Sequence, residues 1–359
     1  MTAGPLIRRA FIEPESVLGF SLSEWDLLIR QARRANVLAR LSHLLDSRRL
    51  LERVPDRPGA HLRAARIHAE RFRHALHWEL ACIERALQAL DVPLILLKGT
   101  AYALAENQAA RGRLFSDIDL MVPEARLPDV EQALIRAGWM AGTFDAYDQK
   151  YYRQWMHEIP PLRHLKRQTS LDVHHNILPK TCKSCPDADK LFENSVGVPG
   201  KNFRVFAPED RVLHSAAHLF HEGELNHGFR DISDIDLLLR EFSEIDGFWQ
   251  KLLQRSSELN QQRALFYACR YADKILATPV PVDVQTVLER QAPGKTRTRL
   301  MDFLFVRALM PNHASCNDRW TGLARWLLFV RSHWLRMPVY LLVPHLLRKG
   351  YKRLAGERL

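Results

Sequence analysis

The sequence predicts an α+β fold in which a small mixed β-sheet is flanked by N-terminal and C-terminal helical regions. Three observations support this prediction. Apolar residues recur at helical spacing from residue 20 to residue 90. Short apolar or alternating runs, which are typical of strands, are confined to residues 91–207, and helical spacing returns from Pro208 onward. We therefore expect an N-terminal helical region at 1–90, an α/β core at 91–207, a C-terminal helical domain at 208–318 and a basic, aromatic helical tail at 319–359.

The N-terminal region contains two predicted helical stretches. The first, SLSEWDLLIRQARRANVLARLSHLL, opens with Ser21 and Ser23, and either serine can act as the N-cap. The segment RVPDRPG interrupts the pattern, and a long amphipathic helix follows that ends near Asp91.

The core alternates strands and helices. PLILLKG is a short apolar run closed by Gly99, which predicts a buried strand. TAYALAENQAA and PDVEQALIRAGW have helical composition, whereas RGRLFSDIDLMVPE and TSLDVHHNI alternate as strands do.

The pentapeptide SDIDL occurs twice, and its first copy lies in the core at residues 116–120. Apolar residues alternate around this copy, so Asp117 and Asp119 should project from one face of a strand. Two carboxylates held that close repel each other unless a cation neutralises them. The first copy is therefore a candidate site for a divalent metal.

The second copy, at residues 233–237, lies among apolar residues that recur at helical spacing. Positions two apart diverge by roughly 200° around a helix axis, so Asp234 and Asp236 should point away from each other. The sequence predicts helix-surface or capping carboxylates there, with Asp231 the acid that faces the core or a cleft.

Taken alone, the first copy could also be a solvated edge strand with two surface acids, and three nearby features favour a metal and phosphate site instead. Gly99 ends a strand and Thr100 follows it, an arrangement that leaves backbone N–H groups for phosphate oxygens. Asp172, in SLDVHHNI, supplies a third carboxylate on a strand. Arg111 and Arg113 precede the paired acids and can neutralise phosphate charge.

In combination, KGTA, RGRLFSDIDLMV and SLDVHH resemble the uncharacterised nucleotidyltransferase family of the DNA polymerase β-like superfamily. The resemblance covers roughly residues 91 to 180 and extends more loosely to PEDRVLHSAAHLFHE and FRDISDIDLLL. It implies a nucleotidyltransferase core in which Asp117, Asp119 and Asp172 are the catalytic, metal-binding carboxylates.

We assign the nucleotide to a set of residues around these acids, comprising Lys98, Gly99, Thr100, Arg111, Arg113 and Ser116. The superfamily's usual turn is Gly-Ser or Gly-Gly-Ser, whereas this chain has Lys98-Gly99-Thr100. Threonine keeps the hydroxyl and Lys98 adds a charge near the phosphates, so the departure leaves the choice of nucleotide open.

The implied reaction is transfer of a nucleoside monophosphate from an NTP to a hydroxyl acceptor, with release of pyrophosphate. Carboxylates suit Mg²⁺, and Mn²⁺ can replace it. The acceptor stays open. Two alternatives also remain, a glycosyltransferase that uses the D-x-D pair with a nucleotide-sugar, and a catalytically inactive interaction module that keeps the fold.

The positive charge of the chain is concentrated at its end. Residues 319–359 carry nine Arg or Lys and one acid, so they account for +8 of the net charge of +11. The nearly neutral remainder makes nucleic acid a less favoured partner. The tail is predicted to pack on the body as a terminal helix pair or, alternatively, to contact a membrane surface or a protein.

The five cysteines are a sparse, odd set, which indicates free thiols in a reducing compartment. We therefore expect a cytoplasmic protein, with peripheral contact to the inner face of the membrane as an extension. Cys182 and Cys185 could form a zinc site with His174 and His175, but reduced loop thiols are the default interpretation.

Three histidines, His214, His218 and His221, fall on one stripe of a predicted helix. The stripe predicts packing or a polar face toward a cleft. Contact with the substrate or acceptor is the alternative, and Arg230 and Asp231 could share that role.

Overall fold

The computed structural model describes residues 5–142, 146–338 and 340–342. The described chain has the predicted α+β fold, a seven-stranded mixed sheet surrounded by helices. The N-terminal helices are α1 (Leu6–Ile12), α2 (Leu22–Arg34), α3 (Leu38–Ser47) and α4 (Asp56–Leu87).

Ser21 determines where α2 begins. Its hydroxyl accepts a hydrogen bond from the Glu24 backbone N–H, and the Glu24 carboxylate accepts one from the Ser21 backbone N–H. This capping box satisfies two N–H groups that the first helical turn would otherwise leave unpaired. Of the two predicted cap candidates, Ser21 is therefore the one that acts.

The sheet forms the centre of the core region. Its strands are β1 (Leu94–Leu96), β2 (Asp117–Met121), β3 (Trp139–Ala141), β4 (Leu162–His164), β5 (Ser170–His174), β6 (Val196–Gly197) and β7 (Phe203–Val205). They lie in the order β3-β4-β5-β2-β1-β7-β6. The β2–β5 and β1–β7 pairs are parallel and the other pairs are antiparallel.

The predicted strand at RGRLFSDIDLMVPE is shorter than its alternation suggests. It begins only at Asp117, because Gly112 turns the preceding chain with a φ of +67°. A Cβ at Gly112 would lie 2.4 Å from the backbone nitrogen of Arg40 on α3. The chain before β2 is therefore a loop pressed against α3, and only glycine fits at its closest point.

The remaining helices lie around the sheet and in the C-terminal half. They are α5 (Lys98–Leu104), α6 (Leu127–Arg136), α7 (Ala146–Trp155), α8 (Ala188–Glu193), α9 (Pro208–His221), α10 (Gly228–Phe242), α11 (Phe248–Glu258), α12 (Gln262–Leu276), α13 (Val282–Arg290), α14 (Lys295–Ala308) and α15 (Thr321–Arg336). The predicted return to helices at Pro208 coincides with the first residue of α9.

Helix α10 carries the second SDIDL, and here the sequence prediction is wrong. The sequence predicted helix-surface or capping carboxylates, but Asp234 and Asp236 are buried, with 3% and 9% of their surface exposed. The reason is that α10 packs against α9, α12 and the 3₁₀ turn at Gln108–Ala110, so little of its circumference faces solvent. The predicted divergence of the two side chains is confirmed, because they bind different partners.

One hydrophobic cluster joins all these layers. It includes Ile7 of α1, Leu41 of α3, Leu120 of β2, Ile235 of α10 and Leu328 of α15. Helix α15 packs against α14 and α9, so this part of the tail lies on the body, while residues 343–359 fall outside the described chain. Within the described residues, no helix is both long and apolar enough to span a membrane.

Candidate active site

The parallel pairing of β2 with β5 brings the three predicted carboxylates together. Asp119 lies directly beside Asp172 in the strand register, and Asp117 lies two residues earlier on the same face of β2. One carboxylate oxygen from each of the three residues falls within 4.8 Å of the other two. Two separate stretches of sequence therefore supply one acidic cluster.

Asp119 is the buried member, and two basic groups hold it. The Lys98 ammonium donates to Asp119 Oδ1 at 2.7 Å, and His174 Nε2 lies 3.0 Å from the same oxygen. Burial would raise the pKa of Asp119, but Lys98 and His174 outweigh it, so the pKa lies well below its usual range. Asp119 is therefore charged throughout the physiological range.

Asp172 has the opposite electrostatic environment. Burial raises its pKa to about 7, and the charges of Asp119 and Glu158 act in the same direction. Its Oδ1 atom is buried without a hydrogen-bond partner among the described residues. A buried carboxylate oxygen without a partner is costly, and a proton or a cation would relieve that cost.

Gly99 and Thr100 lie at the start of α5, beside the acids. The Leu97 backbone N–H donates to the Asp119 carbonyl oxygen at 3.0 Å, which ties this turn to β2. A Cβ on Gly99 would lie 2.4 Å from Arg113 Nε. Glycine is therefore required by the close approach of an arginine, a contact that sequence reasoning did not predict.

A cleft of about 410 Å³ opens beside the cluster. Seven of the predicted site residues line it, namely Lys98, Gly99, Thr100, Arg113, Ser116, Asp117 and Asp119. Asp172 borders Asp119 without lining the cleft, and Arg111 lines a separate cavity of about 480 Å³. The structure thus brings the predicted set together apart from Arg111.

The helical half of the chain contributes the other part of the cleft lining. Arg230 and Asp231 on α10 line it and form an ion pair of 2.8 Å with each other. His218 on α9 also lines the cleft, in agreement with the predicted polar face of that helix toward a cleft. Asp231 therefore faces the cleft as predicted, while Asp234, which was not assigned to the site, lies there too.

Arg113 connects the two copies of the pentapeptide. Its guanidinium forms an ion pair with Asp234 of the second copy, which also pairs with Arg40 at 2.6 Å. All three side chains are almost fully buried. A buried carboxylate between two guanidiniums holds Arg113 in place under Gly99, so the second copy supports the loop that leads into the first.

The other predicted clusters disperse. All five cysteines, which lie within the described chain, are free. Cys182 Sγ lies 3.3 Å from Ser184 Oγ, and His174 binds Asp119. Among the described residues, Cys182, Cys185, His174 and His175 therefore do not form the zinc site that the sequence allowed. His214 packs edge-on against Phe206, and His221 Nε2 lies 3.0 Å from Ser184 Oγ. The stripe at residues 214, 218 and 221 therefore serves three surroundings rather than one site.

Sequence reasoning missed the acid on the far side of His174. Glu158 Oε2 lies 3.4 Å from His174 Nδ1, so this imidazole bridges Glu158 and Asp119. The segment around Glu158 shows neither the helical nor the strand period. The one available signal is the polar pair His157-Glu158 between two apolar residues, Met156 and Ile159, which are buried in the structure.

Comparison with known families agrees with this geometry. Residues 21–277 match the family described as uncharacterised nucleotidyltransferase. The chain belongs to that family. The match includes the acidic cluster, the cleft and both copies of the pentapeptide. It covers more of the chain than the residues from which the resemblance was predicted. Neither a curated protein nor a solved structure matches it.

Proposed function

We propose that this protein is a metal-dependent nucleotidyltransferase that moves a nucleoside monophosphate from an NTP to a hydroxyl acceptor and releases pyrophosphate. The observation that carries the proposal is the meeting of Asp117, Asp119 and Asp172 beside an open cleft. Membership of a nucleotidyltransferase family supports the same reaction class.

The donor set fits a hard divalent cation. Three carboxylates offer oxygen ligands within 4.8 Å of one another, and Asp172 Oδ1 is a buried oxygen without a partner in the described chain. Mg²⁺ and Mn²⁺ favour such ligands. When bound, the metal would lower the pKa of the acceptor hydroxyl and offset the charge of the triphosphate.

The chain's own residues supply the rest of the proposed chemistry. Asp172 would either ligate the cation or accept the proton from the acceptor hydroxyl, and the second role suits its pKa, which burial and neighbouring carboxylates raise to about 7 without a metal. Arg113 and Arg230 line the cleft and offer positive charge to phosphate oxygens. Lys98, which pairs with Asp119, provides a further cation at the same place.

Ser116 and Thr100 complete the proposed nucleotide-binding set. Ser116 Oγ donates to Asp117 Oδ1 at 2.6 Å, so it orients this carboxylate. Thr100 Oγ1 is buried and has no hydrogen-bond partner among the described residues. A hydroxyl in that state is available to a ligand that enters beside Gly99.

The two alternatives receive less support. A D-x-D glycosyltransferase would leave the adjacent Asp172 without a role, and an inactive module would not need three carboxylates so close that their charges repel.

The free cysteines fit a cytoplasmic protein. For the tail, we propose contact with an anionic membrane surface, because an exposed apolar row on α15 lies in its basic stretch.

The experiment is incubation of the purified protein with each α-³²P-labelled NTP and Mg²⁺, with and without cell extract. We expect label transfer to an acceptor from at least one NTP. The Asp117→Asn, Asp119→Asn double variant should abolish it, whereas Asp129→Asn, a surface aspartate on α6 paired with Arg126, should not. Transfer that persists in the double variant would refute the proposal.

A further inference from the structure

A second group of ligand-type side chains lies on the other side of His174. The segment 157–159 runs antiparallel to residues 173–175. The His175 N–H donates to the His157 carbonyl oxygen at 2.8 Å, and the Ile159 N–H donates to that of Val173 at 3.0 Å. This pattern makes Glu158 and His174 a non-hydrogen-bonded pair, the kind in which facing side chains approach most closely. The backbone therefore fixes Glu158 beside His174.

His157, Glu158 and His174 converge. One ligand atom from each residue lies within 4.8 Å of the other two, and the two imidazole rings are 5.2 Å apart between centroids. His157 Nδ1 is buried and has no hydrogen-bond partner among the described residues, and His174 Nδ1 is buried without a hydrogen bond, with Glu158 Oε2 3.4 Å away. Only 2% of the surface of His174 is exposed. A buried imidazole nitrogen without a hydrogen bond, next to a second buried imidazole and a carboxylate, is stabilised by a cation or by a proton.

We propose that His157, Glu158 and His174 bind a divalent cation of the zinc class, next to the three-aspartate cluster and distinct from it. Two imidazole nitrogens and one carboxylate are the donors that Zn²⁺ and Co²⁺ accept readily, whereas an all-carboxylate set favours Mg²⁺. Metal binding at this group does not depend on the nucleotidyl-transfer proposal.

The surrounding charge permits a second dication. Asp119 and Glu158 lie at the group as carboxylates, and Asp172 adds negative charge when it is ionised, while Lys98 and Arg336 are nearby cations that act on His157. Lys98 is already bonded to Asp119. The carboxylates therefore leave negative charge at the position where the two histidines and Glu158 meet.

His174 connects this group to the acidic cluster. A metal on Nδ1 uses the lone pair of that atom, so the ring proton must reside on Nε2. Nε2 lies 3.0 Å from Asp119 Oδ1 and would then donate to it. His174 is thus a positioning residue that orients Asp119, and the proposed cation sets its tautomer.

The test is titration of the metal-free full-length protein with Co²⁺, whose visible absorption reports nitrogen ligation. Wild type should show a visible band that saturates at one nitrogen-ligated Co²⁺ per chain. His157→Ala and the isosteric Glu158→Gln should each weaken binding at least ~10-fold. His68→Ala, at an exposed histidine of α4, should leave binding unchanged. Thermal unfolding of each variant checks that it is folded.

A second variant separates the two groups. Asp117→Asn combined with Asp172→Asn removes two of the three carboxylates of the acidic cluster and leaves His157, Glu158 and His174 intact. This variant should keep the Co²⁺ band. The proposal is overturned if wild type shows no band, if the band is lost in this variant, or if the folded His157→Ala and Glu158→Gln proteins both bind as tightly as wild type.

Discussion

Asp234 lies between two buried guanidiniums, those of Arg40 and Arg113, and has almost no contact with water. Removing its charge leaves both arginines buried without their carboxylate. We expect Asp234→Asn to lower the free energy of unfolding by about 3–5 kcal/mol. Urea denaturation followed by circular dichroism measures this loss.

Asp236 offers a matched control within the same pentapeptide. Its Oδ1 accepts hydrogen bonds from Arg240 and Thr278, and 42% of the Arg240 side chain is exposed. Because asparagine keeps that oxygen and Arg240 reaches water, Asp236→Asn should cost only about 1 kcal/mol. Equal losses in the two variants would contradict the role given to Asp234.

The two copies of SDIDL show what a sequence period can and cannot predict. The period correctly distinguished a strand from a helix, and it correctly predicted that Asp117 and Asp119 share a face while Asp234 and Asp236 diverge. It could not predict that Asp234 is buried, because burial depends on which elements pack around α10. The partners of Asp234 lie 121 and 194 residues away along the chain.

His214 should make stability depend on pH. Burial, and then the charge of Lys98, lowers its pKa to about 3, from roughly 6.5 in an unfolded chain. Between these values the unfolded chain binds a proton that the folded protein does not, so stability falls as the pH falls from about 6.5 toward 3. The slope from this group is at most about 1.4 kcal/mol per pH unit.

The measurement is the free energy of unfolding at pH 7, 6 and 5 for wild type and His214→Leu. The variant should show a shallower decline, because leucine cannot take up the proton. Asp119, Lys98 and His174 are the charged groups that act on His214, and all remain in the variant. His68→Leu, at an exposed position, should decline as wild type does. Parallel declines in wild type and His214→Leu would show that His214 does not titrate as described.

At the scale of elements, the start of α5 packs closely against the loop before β2, where Gly99 and Arg113 both line the cleft. Gly99→Ala would place a methyl group 2.4 Å from Arg113 Nε and 3.1 Å from a Phe115 ring carbon. Because Arg113 is fixed by Asp234, it has little freedom to move. We expect a loss of about 1–3 kcal/mol, measured by urea denaturation.

Gly19→Ala is the control for that substitution. Apart from its two chain neighbours, no described residue has an atom within 4 Å of a Cβ built at Gly19, which ends a 3₁₀ turn and is exposed. Its effect should stay within about 0.5 kcal/mol. If Gly99→Ala is equally harmless, Arg113 is not held as tightly as the ion pair implies.

Helix α15 presents an apolar row in a basic stretch of chain. Leu323, Trp326, Val330 and Trp334 recur at helical spacing, and between 43% and 66% of each is exposed. Trp326→Ser with Trp334→Ser should therefore reduce binding to vesicles that contain phosphatidylglycerol. Cosedimentation measures this binding.

The controls for α15 test the lipid and the position separately. Wild type should bind neutral phosphatidylcholine vesicles weakly, because the basic residues then lack an anionic partner. Trp78→Ser, at a tryptophan of α4 that is 57% exposed, should bind as wild type does. Unchanged binding after loss of both α15 tryptophans would exclude this row as the lipid-binding surface and favour a protein partner.

Across the whole molecule, the long periodic elements were predictable and most short ones were not. Strands β2 and β5 and helices α2, α4, α6 and α9 have clear periods in the sequence, and the short strand β1 was predicted from its apolar run closed by Gly99. Strands β3, β4 and β7 span three residues each, and β6 spans two, which is too few for alternation to appear. The segment that contains Glu158 lies in this unpredicted region, so that residue was missed.

The division into regions at residues 90, 207 and 318 stays a prediction. Among the described residues, a single hydrophobic cluster runs through helices and sheet from Ile7 to Leu328. The arrangement of the acids was predictable from the alternation within β2, which placed Asp117 and Asp119 on one face, while Asp172 joins them through the pairing of β2 with β5. The site was not predictable where a contact joins distant elements, as for Arg113 with Asp234.

The central claim is that the acidic cluster transfers a nucleoside monophosphate, and the fate of two labels on one NTP tests it most directly. With the NTP and extract that support transfer, α-³²P label should appear in the acceptor, while γ-³²P label should appear only in pyrophosphate. Asp119→Asn should stop both, and Asp129→Asn should stop neither. Appearance of γ-³²P in the acceptor, or undiminished α-³²P transfer by Asp119→Asn, would contradict the account.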